Sequence, residues 1–431
     1  MKVYKIMKNI LLLIVLWAFL AVSCARKDNT VAENNGIKTI EINVDGCEKD
    51  MDISDMFDTS FFRIVPLETT PECIIGGQIK NVFYRNGRVY VVEEMAKGVF
   101  VFDDNGKFLS KIQSFGGGPE EYFEITSVRI TDDRIVILDQ MGRKVLFYDM
   151  DCNYIGRIEN RGEYPAHGMF TAGDRIYYTY GLTVDRPGYG TYRLCSTDMD
   201  GRDLQKHIPF DTATVWPTVY GVHNLYTDIG GRVKFVYPST DTVYSAGIDG
   251  VRAEYVMDFG DKALPESFRD DIRESSKPEN LKKYIRGGGV SQMIETKNML
   301  VFSFMYGTLP KFSPEQMDLE TDNDPEKAKV WMRTKWPTTL YHAFYDKNTG
   351  ETTVTNGLSM SYFDKYRIDF RYYDYPYVIF SRNVDAYDTK KTAVDAIKIP
   401  QNPRYEKKYK EVVAGIKEGD NPIVFVYKLK R

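Results

Sequence analysis

The chain has little histidine. The four His, at 167, 207, 223 and 342 of 431 residues, contain no pair at HExxH spacing, so the helical zinc-hydrolase signature is excluded. No CxxC occurs, which removes the zinc ribbon and the thioredoxin-type redox pair. No GxSxG elbow occurs, which removes the α/β-hydrolase nucleophile. Positive charge is not in excess: 57 Lys and Arg against 61 Asp and Glu give a net −4, and no basic footprint for nucleic acid. The apolar run Ile10–Leu20 is short of the roughly 20 residues that a helix needs to span a bilayer.

What the chain does have is aromatic residues, 31 Tyr and 24 Phe, which suit pleated, half-buried surfaces. It also has a phrase that returns: an apolar strand, Asp, a turn, a second strand. The phrase stands at Asp103, Asp149, Asp198 and Asp249, spaced 46, 49 and 51 apart, and again at Asp346 after a gap of 97. The long gap is two units, or one unit with an insertion. A strand–turn–strand repeat near that period predicts a β-propeller, in which single blades cannot bury their own faces and the ring is one domain. The fold class expected is all-β, a six-bladed β-propeller with short helical insertions.

Six stretches read as blade cores, beginning at Ile79, Ser127, Arg175, Arg232, Met299 and Tyr377. The sixth has no second half nearby. The chain instead ends on a strong strand, Ile423–Leu429, and begins with strand-like runs at Ile37–Val44 and Phe61–Leu67. A ring closes without open edges when its terminal strands share a blade, so the last blade is expected to be built from both termini. Helical spacing is read over 264–286, over 324–332 behind Asp324-Pro325, and over 403–417 behind Asn402-Pro403.

The first 23 residues are an address. Lys2, Lys5 and Lys8 precede the apolar run, and Ala21-Val22-Ser23-Cys24 closes it. This resembles a bacterial lipoprotein signal with Cys24 as the lipidated residue, which would tether the protein to the membrane. Removing residues 1–23 takes three lysines and leaves a net −7. Residues 24–36 are polar and without periodicity, a flexible tether, and residues 37–431 are the propeller. Only Asp28 is acidic close behind Cys24, which favours the periplasmic face of the outer membrane over the cell surface. The other cysteines, 47, 73, 152 and 195, could pair in three ways in an exported protein, but they are irregularly spaced and read as free thiols.

Val136–Asp149 resembles the NHL repeat pattern of strand, Asp, turn, basic residue, strand, Asp. The chain from 37 to its end resembles the six-bladed β-propeller lipoproteins of Bacteroidetes. The stretches that carry this are Phe62–Thr69 (FRIVPLET), Gly116–Tyr122 (GGGPEEY) and Asn421–Lys428 (NPIVFVYK). The resemblance implies a fold and an envelope location but no activity.

Three acidic or glycine-rich features have plain readings. Asp198-Met199-Asp200-Gly201 opens like a calcium loop, but position 12 is Pro209, so it is hairpin punctuation. Gly116-Gly117-Gly118-Pro119 is followed by Glu120-Glu121, which would repel a phosphate, so it reads as a crossover between blades. The alternating acids from Asp318 to Glu326 read as a solvated loop. Tyr362 to Tyr377 reads as packing between blades, with sugar stacking as the alternative.

Tyr122, His167 and His223 each stand just before the first strand of a blade, a position that faces the mouth of a propeller's channel. Together with Arg286 they are the candidate ligand-binding ring. No catalytic set, metal site or cofactor is implied. The expected function is binding of a glycan, a peptide or an envelope protein. The alternative is a metal-assisted hydrolase or lyase at the channel mouth.

Overall fold

Apolar runs separated by tight turns fold into short antiparallel sheets. The computed structural model describes residues 36–48, 51–94, 98–159, 166–180, 192–209, 227–229, 232–236, 241–265, 277–307, 319–320, 322, 340–356, 358–359, 372–382 and 402–430. The chain opens with β1 (Lys38–Glu41), β2 (Met51–Asp52) and β3 (Phe57–Pro66). Blade one follows as β4 (Ile79–Arg85), β5 (Arg88–Glu93), β6 (Gly98–Asp103) and β7 (Phe108–Ile112). Blade two is β8 (Ser127–Ile130), β9 (Ile135–Asp139), β10 (Lys144–Tyr148) and β11 (Tyr154–Glu159). Blade three is β12 (Gly168–Ala172), β13 (Arg175–Thr179), β14 (Tyr192–Asp198) and β15 (Gln205–Pro209). Blade four is β16 (Thr227–Ile229), β17 (Arg232–Val236), β18 (Thr242–Gly247) and β19 (Gly250–Asp258). Helix α1 (Pro278–Lys283) leads into blade five: β20 (Ile285–Glu295), β21 (Met299–Tyr306), β22 (Leu340–Asp346) and β23 (Thr352–Thr355). After β24 (Leu358–Ser359), blade six is β25 (Tyr372–Asp374), β26 (Tyr377–Arg382) and, beyond helix α2 (Pro403–Gly415), β27 (Ile423–Leu429). Its fourth strand is β3. The six sheets form a six-bladed propeller whose last blade joins the two ends of the chain.

The core lies between blades. Val91, Phe100 and Phe102 of blade one pack with Ile379, Val424 and Val426 of blade six. Val92 and Val101 pack with Ile135 and Leu146 of blade two, and Val136 and Val145 pack with Ile176 and Tyr178 of blade three. Full burial of such a side chain stabilises by about 1.5 to 3 kcal/mol, so each blade is held chiefly by its two neighbours.

The Asp of the recurring phrase is an Asx turn. Asp103 Oδ1 accepts from Asn105 N (2.8 Å) and Lys107 N (2.9 Å), and Asp149 Oδ1 accepts from the N–H of Asp151 and Asn153. Asp198 and Asp346 do the same for the two donors beyond them. These contacts fix the turn between the third and fourth strands. Asp249 differs, since its carboxylate accepts from Arg232. Arg175 and Arg232 open their blades' second strands alike: each Nε donates to a third-strand serine, Ser196 or Ser245, at 3.1 Å.

Two findings go beyond the sequence pattern. β1 does not join the last blade; it pairs in parallel with β19, on the outer edge of blade four. The chain then passes blade five, where Glu48 N donates to Val354 O (2.8 Å) and Thr355 Oγ1 donates to Glu48 O (2.9 Å). β2 pairs with β24 before β3 enters blade six. This strap covers outer edges that would otherwise offer unpaired backbone groups. Second, the helix expected over 264–286 is described only as α1, and Ile285 and Arg286 already belong to β20. Ile285 and Val290 pair with Tyr306 and Phe304 across the Gly287–Gly289 run, so strand pairing overrides the helical spacing there. The segment 324–332 lies outside the described residues, as do residues 1–35, which include the signal-like segment, Cys24 and almost all of the expected tether.

Blade six is fastened to blade one by Asn421. Its amide donates to Glu68 O (2.6 Å) and Cys73 O (2.7 Å), its Oδ1 accepts from Ile75 N (2.7 Å), and its own N donates to Thr69 Oγ1 (2.8 Å). Nearby, Gly106 adopts φ 88°, and a Cβ there would sit 1.8 Å from Pro66 O. We expect Asn421→Ala to cost about 3 kcal/mol, because it strands buried backbone groups. We expect Gly350→Ala, whose positive φ faces open space, to cost about 1 kcal/mol, and Gly106→Ala several times that. Urea-unfolding midpoints at fixed slope measure all three, and equal effects for the two glycines would refute the clash.

Candidate functional site

Antiparallel order gives the ring two unlike ends. Turns from first to second strand and from third to fourth emerge at one end, and none exceeds six residues. Connections from second to third strand, and from one blade to the next, emerge at the other end and run from four to 40 residues, the longest being 383–422. The doubled spacing before Asp346 is one blade with an insertion, 307–339, between β21 and β22. First strands are innermost, since neighbouring sheets meet through β4 and β25, β8 and β12, and β16 and β20. Their first residues therefore ring the channel at the elaborated end.

Polar side chains converge there from blades one to three. Lys80, near the start of β4, donates from Nζ to Ile125 O (2.8 Å) in the connection leading to blade two. Lys80 keeps solvent contact yet is closely surrounded, and burial holds its ammonium below the usual lysine range while Glu94 and Glu124 oppose this. Glu124 Oε1 accepts from Thr126 Oγ1 (3.0 Å), and Thr126 Oγ1 accepts from Gln140 N (3.0 Å). Gln140 Nε2 donates to His167 Nδ1 (3.4 Å), which leaves the proton of the imidazole on Nε2. His167 is half-buried and is held one residue ahead of β12 by its N–H to Thr179 O (2.9 Å).

Of the residues read from the sequence, His167 stands in this cluster. The backbone of Arg286, second residue of β20, lies at the same end of an inner strand. His223 lies outside the described residues. Tyr122 is wholly buried among Val101, Ile112, Ile137 and Leu146, and its hydroxyl donates to Ile112 O (3.3 Å). Burial raises its phenol well above the ordinary range, and no surface of the ring faces the channel. Sequence reasoning missed Lys80, Glu124 and Gln140, because it looked only at residues immediately ahead of inner strands. Lys80 sits where the β4–β5 register shifts between Ile79 and Asn81, and that bulge has no local sequence signal.

The glycine-rich stretch holds a carboxylate, but its own. Gly118 N donates to Glu121 Oε2 (2.7 Å), and a Cβ on Gly116 would lie 2.1 Å from that oxygen. Lys144 Nζ donates to Gly118 O (3.1 Å), and Asp139, fully buried, accepts from Phe123 N and Gly142 N. The loop is thereby rigid and joined to the β9–β10 turn.

A Ser–His pair lies elsewhere and is structural. Arg175 Nε donates to Ser196 Oγ, and the same hydroxyl is hydrogen-bonded to His207 Nε2 (2.9 Å). Ser196 has 0% exposure, out of reach of a substrate, and a cation rather than a carboxylate sits beside the pair. Ser303 and His342 form a second such pair (2.8 Å), also buried. Cys47 and Cys152 are half-buried, Cys73 and Cys195 are buried, and all four are free thiols; burial pushes Cys152 up to about 11, far from a reactive thiolate. Among the described residues no group of three or more His, Cys, Asp or Glu is placed to hold a metal ion, and no helix is long and apolar enough to cross a membrane.

Residues 37–428 match the model of a family described as a domain of unknown function, DUF4934. The chain belongs to this family. No curated protein sequence matches it. Among solved structures it is similar to a Bacteroides fragilis protein described as exported, at 16% identity and TM-score 0.56, covering 92% of this chain and 100% of that one. A DUF4221 family member from Bacteroides vulgatus matches at 12% identity and TM-score 0.44, covering 86% and 97%. At these identities the likeness is one of fold. The family match spans the strap, the ring and the closing strand together.

His207 sets a pH dependence of stability. Burial and Arg175 lower its pKa to about 4, against an unfolded value of about 6.5. The unfolded chain binds the extra proton, so this contribution is complete above pH 6.5 and fades as pH falls towards 4. We expect about 2 to 3 kcal/mol from this group between those limits. Urea-unfolding titrations of His207→Gln should show a shallower loss than the unaltered protein over that window; identical slopes would overturn the assignment.

Proposed function

We propose that the protein is an exported propeller, tethered by lipid at Cys24 to the periplasmic face of the outer membrane. It binds a glycan, a peptide or an envelope protein at its elaborated end. The observation that carries this reading is the asymmetry of the ring: one end is closed by minimal turns, the other holds every long connection and the Lys80–His167 cluster. Loops displayed on a rigid scaffold are where binding residues concentrate. Ammonium, carboxylate, amide and imidazole within one mouth offer both donors and acceptors, which suits recognition. The Cys24 address and the structural neighbour described as exported support the location, and β9 and β10 flanking the Asp139–Arg143 turn support the NHL-like reading of Val136–Asp149.

Two measurements test it. Cys24→Ser should move the protein from the membrane to the soluble fraction of fractionated cells; unchanged partitioning would remove the lipid tether. Ligands that raise the melting temperature of the mature chain should bind about tenfold more weakly to Lys80→Ala with Gln140→Ala, whose own melting temperature stays near that of the parent. Full affinity in that variant would move the site away from the mouth. Stoichiometric zinc or calcium in protein purified without chelator would favour the metal-assisted enzyme instead.

A further inference from the structure

Aromatic residues are abundant here, and the fold hides nearly all of those described. Among the described residues only two aromatic side chains stand exposed, Phe115 at 59% and Phe123 at 41%, and both lie in the single connection from blade one to blade two. Met141, 70% exposed, lies in the β9–β10 turn, to which Phe123 N is tied through Asp139 Oδ2 (3.1 Å). Single exposed apolar residues need no account, but here both exposed rings share one connection, and that connection is bonded to the turn that carries Met141.

The connection is built rather than loose. Tyr122 N donates to Ser114 O (2.9 Å) and Gly116 N to Tyr122 O (3.0 Å), so Phe115 is bracketed by a short parallel bridge. The ring of Phe123 lies against Gly117, where a Cβ would sit 3.3 Å from Cζ. Tyr148 OH donates to Glu120 O (3.2 Å) and pins the middle of the loop. Two exposed rings on a backbone fixed by these bonds form a platform whose ordering costs little on binding.

Polar groups on the same two loops, and bonded to them, narrow the class of occupant. Glu124 follows Phe123 directly, and Gln140 precedes Met141 and reaches His167. Lys80 donates to Ile125 O, two residues from Phe123. A carboxylate only accepts, an ammonium only donates, and amide and imidazole do both. Acidic and basic side chains interleave, so the rim favours neither a polyanion nor a polycation. A neutral ligand with an apolar face and several hydroxyls, each both donor and acceptor, matches all of these groups at once. We propose that Phe115 and Phe123 form a stacking subsite for a neutral saccharide, with Glu124, Gln140, His167 and Lys80 meeting its hydroxyls. This rests on the binding function assigned above to the elaborated end.

The test uses the full mature chain with Cys24→Ser, titrated calorimetrically with neutral oligosaccharides (malto-, cello-, manno- and xylo-hexaose) and screened on a random peptide array. The expected result is binding of at least one oligosaccharide, weakened about tenfold or more by Phe115→Ala and by Phe123→Ala, with melting temperatures close to the parent. Ile248→Ser, an exposed site in a turn at the opposite end, should leave the affinity unchanged. No binding by any of the four sugars, or sugar binding indifferent to both Phe substitutions, overturns the saccharide subsite. Peptide binding that both substitutions weaken overturns the saccharide but keeps the elaborated end as the site. Sugar binding that only Ile248→Ser weakens overturns both readings.

Discussion

The structure depends on one pairing, that of the last strand with the third. β27 and β3 are joined from Ile423↔Pro66 to Leu429↔Phe57, so Val424 and Val65, 359 residues apart, are neighbours. Without that ladder blade six lacks its fourth strand, and the apolar faces shared by blades one and six, Phe102 against Val424 and Val426, have nothing between them. Closing so long a loop is less costly than its length suggests, because the entropy lost grows only with the logarithm of chain length. The return is large, since closing the ring buries the remaining face of both terminal blades. The polar contacts at the seam are correspondingly dense. Arg63 meets Asp104, Tyr84 OH meets the same carboxylate, and Arg85 grips buried Asp374 with two bonds, at 3.0 and 2.6 Å. Two of the three stretches that carry the resemblance to Bacteroidetes propellers, FRIVPLET and NPIVFVYK, face each other across this seam. They mark the closure of the ring, which is why they say so much about fold and so little about activity.

Closure also separates the two ends of the molecule. The short-turn end is occupied by Asx turns whose aspartates are committed to backbone N–H groups, and their spacing is set by blade width. Changes to these aspartates would unpick a hairpin. The opposite end carries connections of any length, because a longer loop between two paired strands costs little once the strands are fixed. The binding function proposed above would therefore lie where the ring tolerates variation.

What the sequence made legible follows from the range of the interactions involved. The Asp-turn phrase was readable because an Asx turn is contained within five residues. Terminal-strand closure was readable because an orphan half-blade and two unplaced strands leave a single economical pairing. The destination of β1 was not, since Lys38 finds Tyr255 through parallel pairing that no local pattern announces. The end of the 264–286 segment was misread for a related reason: Tyr284 and Ile285 fit helical spacing, but Ile285 is claimed by Tyr306 across the sheet. The mouth was half legible. His167 was found from its place ahead of an inner strand; Lys80, Glu124 and Gln140 reach the same place from a bulge, a crossover and a turn.

The misplacement of Tyr122 is the most instructive. Its position along the chain was right for the mouth, and its side chain points the other way. Successive residues of extended backbone face opposite sides, so an error of one residue exchanges core for solvent. Tyr122 is buried in the contact between blades one and two, and Phe123, the next residue, is exposed. The two roles are coupled. A loop that must hold an aromatic ring in water needs an anchor of matching size on its buried face, and Tyr122, with Gly116 and Gly118 folded round Glu121, supplies it. The GGGPEEYF stretch is thus one device with a buried half and an exposed half. Read as a motif it shows only the glycines, which are there so that the other residues can be held still.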